Sequence, residues 1–182
     1  MNPCHRILVF LAFTLIFSNP SSAQHVRTDY DRGTNFSQYK TYSWEQVQTE
    51  NPLWVNRIKD AVNSALASKG WTAVGSGGSV AIMAMEITRT HRTLNTYYDS
   101  FGGGWRRKGG IGFGDATTTE DTYRVGTLVV DLFDSKTKNL VWRGSTSDVL
   151  YDKSEKNIKN LYIGVRKMFG HFPPESKNQQ GH

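Results

Sequence analysis

Residues 125–142 constrain the fold more than any other stretch of the chain. Val125-Gly126-Thr127-Leu128-Val129-Val130-Asp131-Leu132-Phe133 is rich in β-formers, and Leu140-Val141-Trp142 resumes the pattern after Asp134-Ser135-Lys136-Thr137-Lys138-Asn139. A polar, turn-forming segment between two such runs predicts a β-hairpin. Leu128, Val130 and Leu132 alternate onto one face, where Leu140 and Trp142 are expected to meet them across the turn. Thr127, Val129, Asp131 and Phe133 take the opposite, mixed face. The hairpin is therefore expected to be the central floor on which two helices pack.

Both helices are legible. Asn51 suits an N-cap and Pro52 a first helical position; Trp54, Ile58, Ala61, Val62, Ala65 and Leu66 then recur at helical spacing. Lys59, Asp60, Asn63 and Lys69 are expected on the wet side, Gly70 as the stop, and Trp71 folded back over the last turn. A second helix is predicted from Asp152, with Asp152 and Glu155 at capping-box spacing. Ile158, Leu161, Tyr162, Val165, Met168, Phe169 and Phe172 form its apolar stripe, with Gly164 allowing close approach to the sheet and Pro173-Pro174 ending it.

The remaining segments read as strands and connectors. Residues 24–32 are polar and predict a short lead-in, whereas Lys40, Tyr42 and Trp44 alternate as the end of a strand in residues 34–44. Gly75-Ser76-Gly77-Gly78 makes a turn before Val80-Ala81-Ile82-Met83-Ala84-Met85, apolar on both faces and so expected to be central in the sheet. Residues 86–97 and 116–124 are polar but threonine-rich, and predict the upper arms of one long hairpin. The order β-α-β-β-β-β-α implies a single α+β domain, with a mainly antiparallel sheet and two helices on one face. That domain is expected over residues 24–174, with 175–182 as a flexible tail.

Residues 1–23 read as a secretory signal: Arg6 before an apolar run at 7–17, then Ser21-Ser22-Ala23 at the cleavage positions. The run is too short to span a bilayer, so no retained transmembrane helix is expected. The single cysteine, Cys4, precedes the run, so no lipid-attachment cysteine follows it, and the exported chain is expected to lack disulfides and thiolate chemistry. An exported protein, periplasmic, secreted or peripheral to the outer membrane, is the expectation. The formal charge of +6 comes from interspersed residues with no basic tail, which favours a soluble surface, and no nucleic acid is expected as partner.

Several segments resemble one family. Asp29-Tyr30-Asp31 with Asn35-Phe36-Ser37-Gln38-Tyr39-Lys40-Thr41-Tyr42-Ser43-Trp44 is similar to its opening strand, and Asn51-Pro52-Leu53-Trp54 to its first helix. Tyr97-Tyr98-Asp99, Phe101-Gly102-Gly103-Gly104-Trp105, residues 112–119 and residues 125–134 are similar to its middle. Leu140-Val141-Trp142-Arg143-Gly144 and Met168-Phe169 with Phe172-Pro173-Pro174 are similar to its end. The chain thus resembles the bacterial domain of unknown function 4136 family. That resemblance implies an exported cell-envelope protein, often a lipoprotein, and brings no activity, cofactor or catalytic residue.

The residues themselves offer one contact candidate. Between the long arms, residues 98–115 combine glycines with Tyr98, Phe101, Trp105, Arg106, Arg107, Lys108, Ile111 and Phe113. Such a loop suits contact with an envelope protein, a glycan or an anionic membrane surface, because tryptophan and arginine make strong anchors and basic residues are drawn to anionic lipid. A nucleotide cradle is not expected, because the glycines join two strands and no helix N-terminus follows them. No metal or cofactor is expected: His25, His91, His171 and His182 lack ligand spacing, and no serine nucleophile motif is present. The leading expectation is a non-enzymatic binding module. The alternatives are a hydrolase using Asp99, Glu120, Asp121 and His91 near the hairpin top, or a self-associating structural protein.

Overall fold

A computed structural model describes residues 24–98 and 116–174. The predicted signal and tail, and the loop residues Phe101, Trp105, Arg106, Arg107, Lys108 and Phe113, lie outside the described residues, while Tyr98 is the last residue of a strand. The elements are β1 (His25–Tyr30), a 3-10 turn (Phe36–Gln38), β2 (Thr41–Gln48), α1 (Leu53–Ala67), β3 (Thr72–Ala73), β4 (Val80–Tyr98), β5 (Ala116–Asp134), β6 (Leu140–Leu150) and α2 (Ser154–Met168). One six-stranded sheet runs in the order β1-β6-β5-β4-β2-β3. The α+β class and single domain hold, but the sheet is mixed: β2 lies parallel to both β3 and β4, because α1 carries the chain back between them.

The central hairpin is β5 and β6, and a bulge adjusts its predicted pairing. Leu132 stands opposite Trp142 but Phe133 opposite Leu140, with Val141 as the extra residue. Val141 and Trp142 are therefore both buried while Leu140 is turned out to solvent, contrary to the simple alternation. On the helix side, Val80, Ile82, Ala84, Leu128, Val130, Leu132 and Trp142 meet Ile58, Val62 and Leu66 of α1 and Leu161, Val165 and Met168 of α2 in one core. On the other face of β4, Ala81 is buried but Met83 and Met85 are 37% and 42% exposed, so this apolar run is central in the sheet yet covered only in part on that side.

Residues 24–32 are not a lead-in but contain edge strand β1, antiparallel to β6 from His25↔Ser147 to Tyr30↔Trp142. Its inner edge alone is paired and only Val26 and Tyr30 touch the core, so its sequence stays polar. At the start of the predicted 34–44 strand, Asn35 instead caps the 3-10 turn by accepting from the Ser37 N–H. Phe36 and Tyr39 enter an aromatic cluster with Trp71, Trp142, Phe169 and Phe172.

Helix α1 ends as expected. Gly70 sits at φ +78°, the Gly70 N–H donates to the Ala67 carbonyl and the Trp71 N–H to that of Leu66. At its start the Asn51 Oδ1 accepts from the Leu53 N–H. Asn63 is not on the wet side: its Oδ1 accepts from Tyr42 Oη at 2.8 Å and Trp44 Nε1 at 2.9 Å, tying α1 to β2. Helix α2 begins later than expected, and the Asp152–Glu155 box is replaced by Asn157, which brackets Tyr151 by accepting from its N–H and donating to its carbonyl. Gly164 does allow close approach, since a Cβ there would lie 2.6 Å from Thr146 Oγ1.

Candidate functional site

The helices cover only part of the sheet, and where they start, a cleft opens. Its floor is the helix-side face of β4, β5 and β6, where Glu86 stands opposite Leu128 and Thr146 opposite Leu128 on the other side. One step along, Thr88, Gly126 and Asp148 form the next row, and Arg124 faces Leu150 beyond it. Residues 50–58 at the start of α1 and 151–161 at the start of α2 make the walls. The cavity holds about 420 Å³, within the range of small-molecule sites.

Local chemistry explains why the cleft stays open. Gly126 contributes no side chain to the floor, and the Leu150 side chain lies where one would go. A glycine inside a strand otherwise costs stability, and its usual reason is close approach of another group. Leu128, Ile58 and Leu161 supply an apolar inner end. Polar groups ring it. Glu86 is half-buried and accepts from the Thr49 hydroxyl and the Thr88 hydroxyl, each at 2.9 Å. Gln24 Nε2 donates to the Asn160 carbonyl at 2.7 Å, and Arg57 lies over the Trp54 ring at 5.5 Å. Among the described residues the Thr146 hydroxyl, on a residue 6% exposed, has no hydrogen-bond partner.

The hairpin top looks different from the acid pair that the hydrolase alternative needs. Glu120 and Asp121 are consecutive in β5 and so point to opposite faces. Glu120 lies 3.6 Å from Arg92, and His91 stacks on Tyr123 with ring centroids 5.5 Å apart, on the face away from Glu120. Asp99 lies outside the described residues. The arms flanking the glycine-rich loop are both strands, as expected from the sequence. Among the described residues no group of three histidine or acidic side chains could hold a metal ion, and no helix is long and apolar enough to cross a membrane.

Among the described residues, the large electrostatic perturbations sit at the far end of the sheet. Tyr39 Oη donates to Asp134 Oδ2 at 2.6 Å. That bond and the Thr137 and Lys136 N–H groups hold the Asp134 carboxyl down to about 2. Burial and the facing carboxylate push the Tyr39 phenol up to about 12. This pair anchors the entry of β2 to the end of β5 and lines no part of the cleft.

The cleft residues escaped the sequence reading because they come from separated segments. Two signals were present: Glu86, where the apolar run of β4 breaks, and Gly126 inside a β-rich run.

Among solved structures, the chain is similar to a PDZ domain protein from Parabacteroides distasonis, at 14% identity and a TM-score of 0.51, covering 84% of this chain and 36% of that one. The chain thus spans about a third of that protein's length, and the likeness is one of fold. Looser overlaps, which carry no argument, are with the PelC dodecamer from Paraburkholderia phytofirmans (14% identity, TM-score 0.46, covering 80% and 93%) and a neuraminyllactose-binding hemagglutinin homolog from Helicobacter pylori (9%, 0.38, covering 74% and 83%). No curated protein sequence matches. A family model does match, over residues 26–174, and by it the chain belongs to the family described as domain of unknown function DUF4136.

Proposed function

We propose that this chain is a non-catalytic binding domain of the bacterial cell envelope that holds a small amphipathic ligand in the cleft between the helix starts and the sheet. The observation that carries this is the cleft itself: about 420 Å³ with an apolar inner end and a polar ring, beside which Thr146 leaves a buried hydroxyl without a partner. Placement in the envelope rests on the leader-like residues 1–23 and on the family resemblance. The glycine-rich loop, with Phe101, Trp105, Arg106 and Arg107, is a further contact surface in this proposal, for a protein, a glycan or an anionic membrane.

A direct test uses 1-anilinonaphthalene-8-sulfonate, whose rings suit the apolar end and whose sulfonate suits Arg124. The dye should bind saturably at one site per chain. Gly126→Leu, which fills the floor while Leu150 gives way, should abolish that binding without changing the circular dichroism spectrum. Unsaturable binding, or binding untouched by Gly126→Leu, contradicts the cleft as the site. For the loop, replacing Phe101, Trp105, Arg106 and Arg107 with polar neutral residues should abolish partner capture from envelope extracts, and unchanged capture removes the loop from the account.

A further inference from the structure

Strands β4 and β5 outrun the rest of the sheet. Their pairing continues without a bulge from Val80↔Asp134 to Tyr98↔Ala116. Their neighbours stop early: the last β2 pair is Gln48↔Met85 and the last β6 pair is Arg124↔Leu150. Beyond Arg124 the two strands project as a ribbon for roughly 25–30 Å, with no third strand along either outer edge among the described residues. An isolated two-stranded ribbon is marginal in water, and a long edge without bulges is a template for another strand.

The two edges differ in charge. From Ile87 to the end of β4 the strand carries Arg89, His91 and Arg92 and no acid. From the start of β5 to Tyr123 the strand carries Glu120 and Asp121 and no base. Within one ribbon, Arg92 lies diagonal to Glu120 at 3.6 Å, their directly paired residues being Thr122 and Leu94, and both side chains are well exposed at 74% and 50%.

We propose that the outer β4 edge of one copy's ribbon pairs antiparallel with the outer β5 edge of a second copy's, so that identical chains assemble head to tail through their ribbons. The charges select this arrangement. Two β4 edges would bring Arg89, His91 and Arg92 of one copy alongside those of the other, and two β5 edges would bring acids alongside acids, and like charges brought close across strands are unfavourable. Pairing β4 with β5 instead allows between copies the same diagonal Arg92–Glu120 contact that each copy makes within itself. Main-chain hydrogen bonds supply the affinity, as in other strand-addition contacts. Each copy keeps one edge of each kind, so the contact continues into a ring if the rotation closes and into a filament if it does not. This inference is independent of the cleft.

Sedimentation velocity of the full chain, purified in the form the cell accumulates, tests it over a concentration series. Assemblies larger than a dimer are expected. Arg89→Glu with Arg92→Glu should weaken association at least tenfold, as should Glu120→Arg with Asp121→Arg. An equal mixture of the two variants should assemble again, since each then offers its partner an opposite charge. A monomer throughout the series, assemblies indifferent to both reversals, or a mixture that stays apart although both variants are folded, overturns the proposal. Hydrogen exchange on the wild-type chain does not depend on the variants folding. Amides in residues 87–94 should gain protection as concentration rises, and concentration-independent exchange there overturns the pairing.

Discussion

Single side chains set how the fold responds to substitution and to pH. The buried Thr146 hydroxyl makes no hydrogen bond, so Thr146→Val removes a desolvated polar group and should raise the stability of the ligand-free chain by about 1 kcal/mol in urea unfolding. A loss of stability would mean that the hydroxyl has a partner in solution. The Tyr39–Asp134 bond makes a pH prediction. Folding lowers the Asp134 carboxyl from 3.8 to about 2, the Tyr39 hydrogen bond being the largest cause. Its contribution is therefore complete above the unfolded value and lost as pH falls through about 2. Folding raises the Tyr39 phenol from 10.0 to about 12, mainly through burial, so that contribution is complete below 10.0 and lost as pH rises through about 12. The stability advantage of wild type over Tyr39→Phe should accordingly shrink between pH 4 and about 2, and again between pH 10 and about 12. An advantage constant across both windows, measured by urea unfolding, contradicts the bond.

At the scale of elements, the stops and contacts of the helices make the sharpest predictions. Gly70 holds φ +78° to close α1, so Gly70→Ala should cost about 1–2 kcal/mol. Gly75→Ala, at a site with nothing within 4 Å, should stay within about 0.5 kcal/mol of wild type. Gly164→Ala gains about 1 kcal/mol of helix propensity, but its Cβ would lie 2.6 Å from Thr146 Oγ1 and 2.8 Å from Gln24 Nε2. Net destabilisation of about 1 kcal/mol or more is expected in thermal melts, and a raised melting temperature would mean that α2 can move off β6. The helices and the long hairpin were legible because their buried residues recur with one clear period. Strand β1 was not, because an edge strand that lends only Val26 and Tyr30 to the core has no apolar alternation to read. The parallel pairing of β2 with β4 was hidden for another reason: strand direction depends on where α1 carries the chain, not on the composition of either strand.

For the whole molecule, the helix layer is shorter than the sheet beneath it. The aromatic cluster of Phe36, Trp71, Trp142 and Phe172 closes one end, while the other end opens as the cleft and then runs out as the β4–β5 ribbon. A sequence shows the content of each segment but not where two helices stop along a sheet. The cleft, assembled from Trp54, Glu86, Gly126, Thr146 and Asn157 among others, was therefore illegible, whereas the glycine-rich loop stood out by composition alone. The central claim is that the cleft holds a ligand. The most direct measurement is native mass spectrometry of wild-type and Gly126→Leu chains isolated gently from the cell envelope. The account predicts an added mass of a few hundred daltons, roughly what such a cavity admits, on the wild-type chain and none on the variant. A bare wild-type chain, or the same added mass on both, would contradict it.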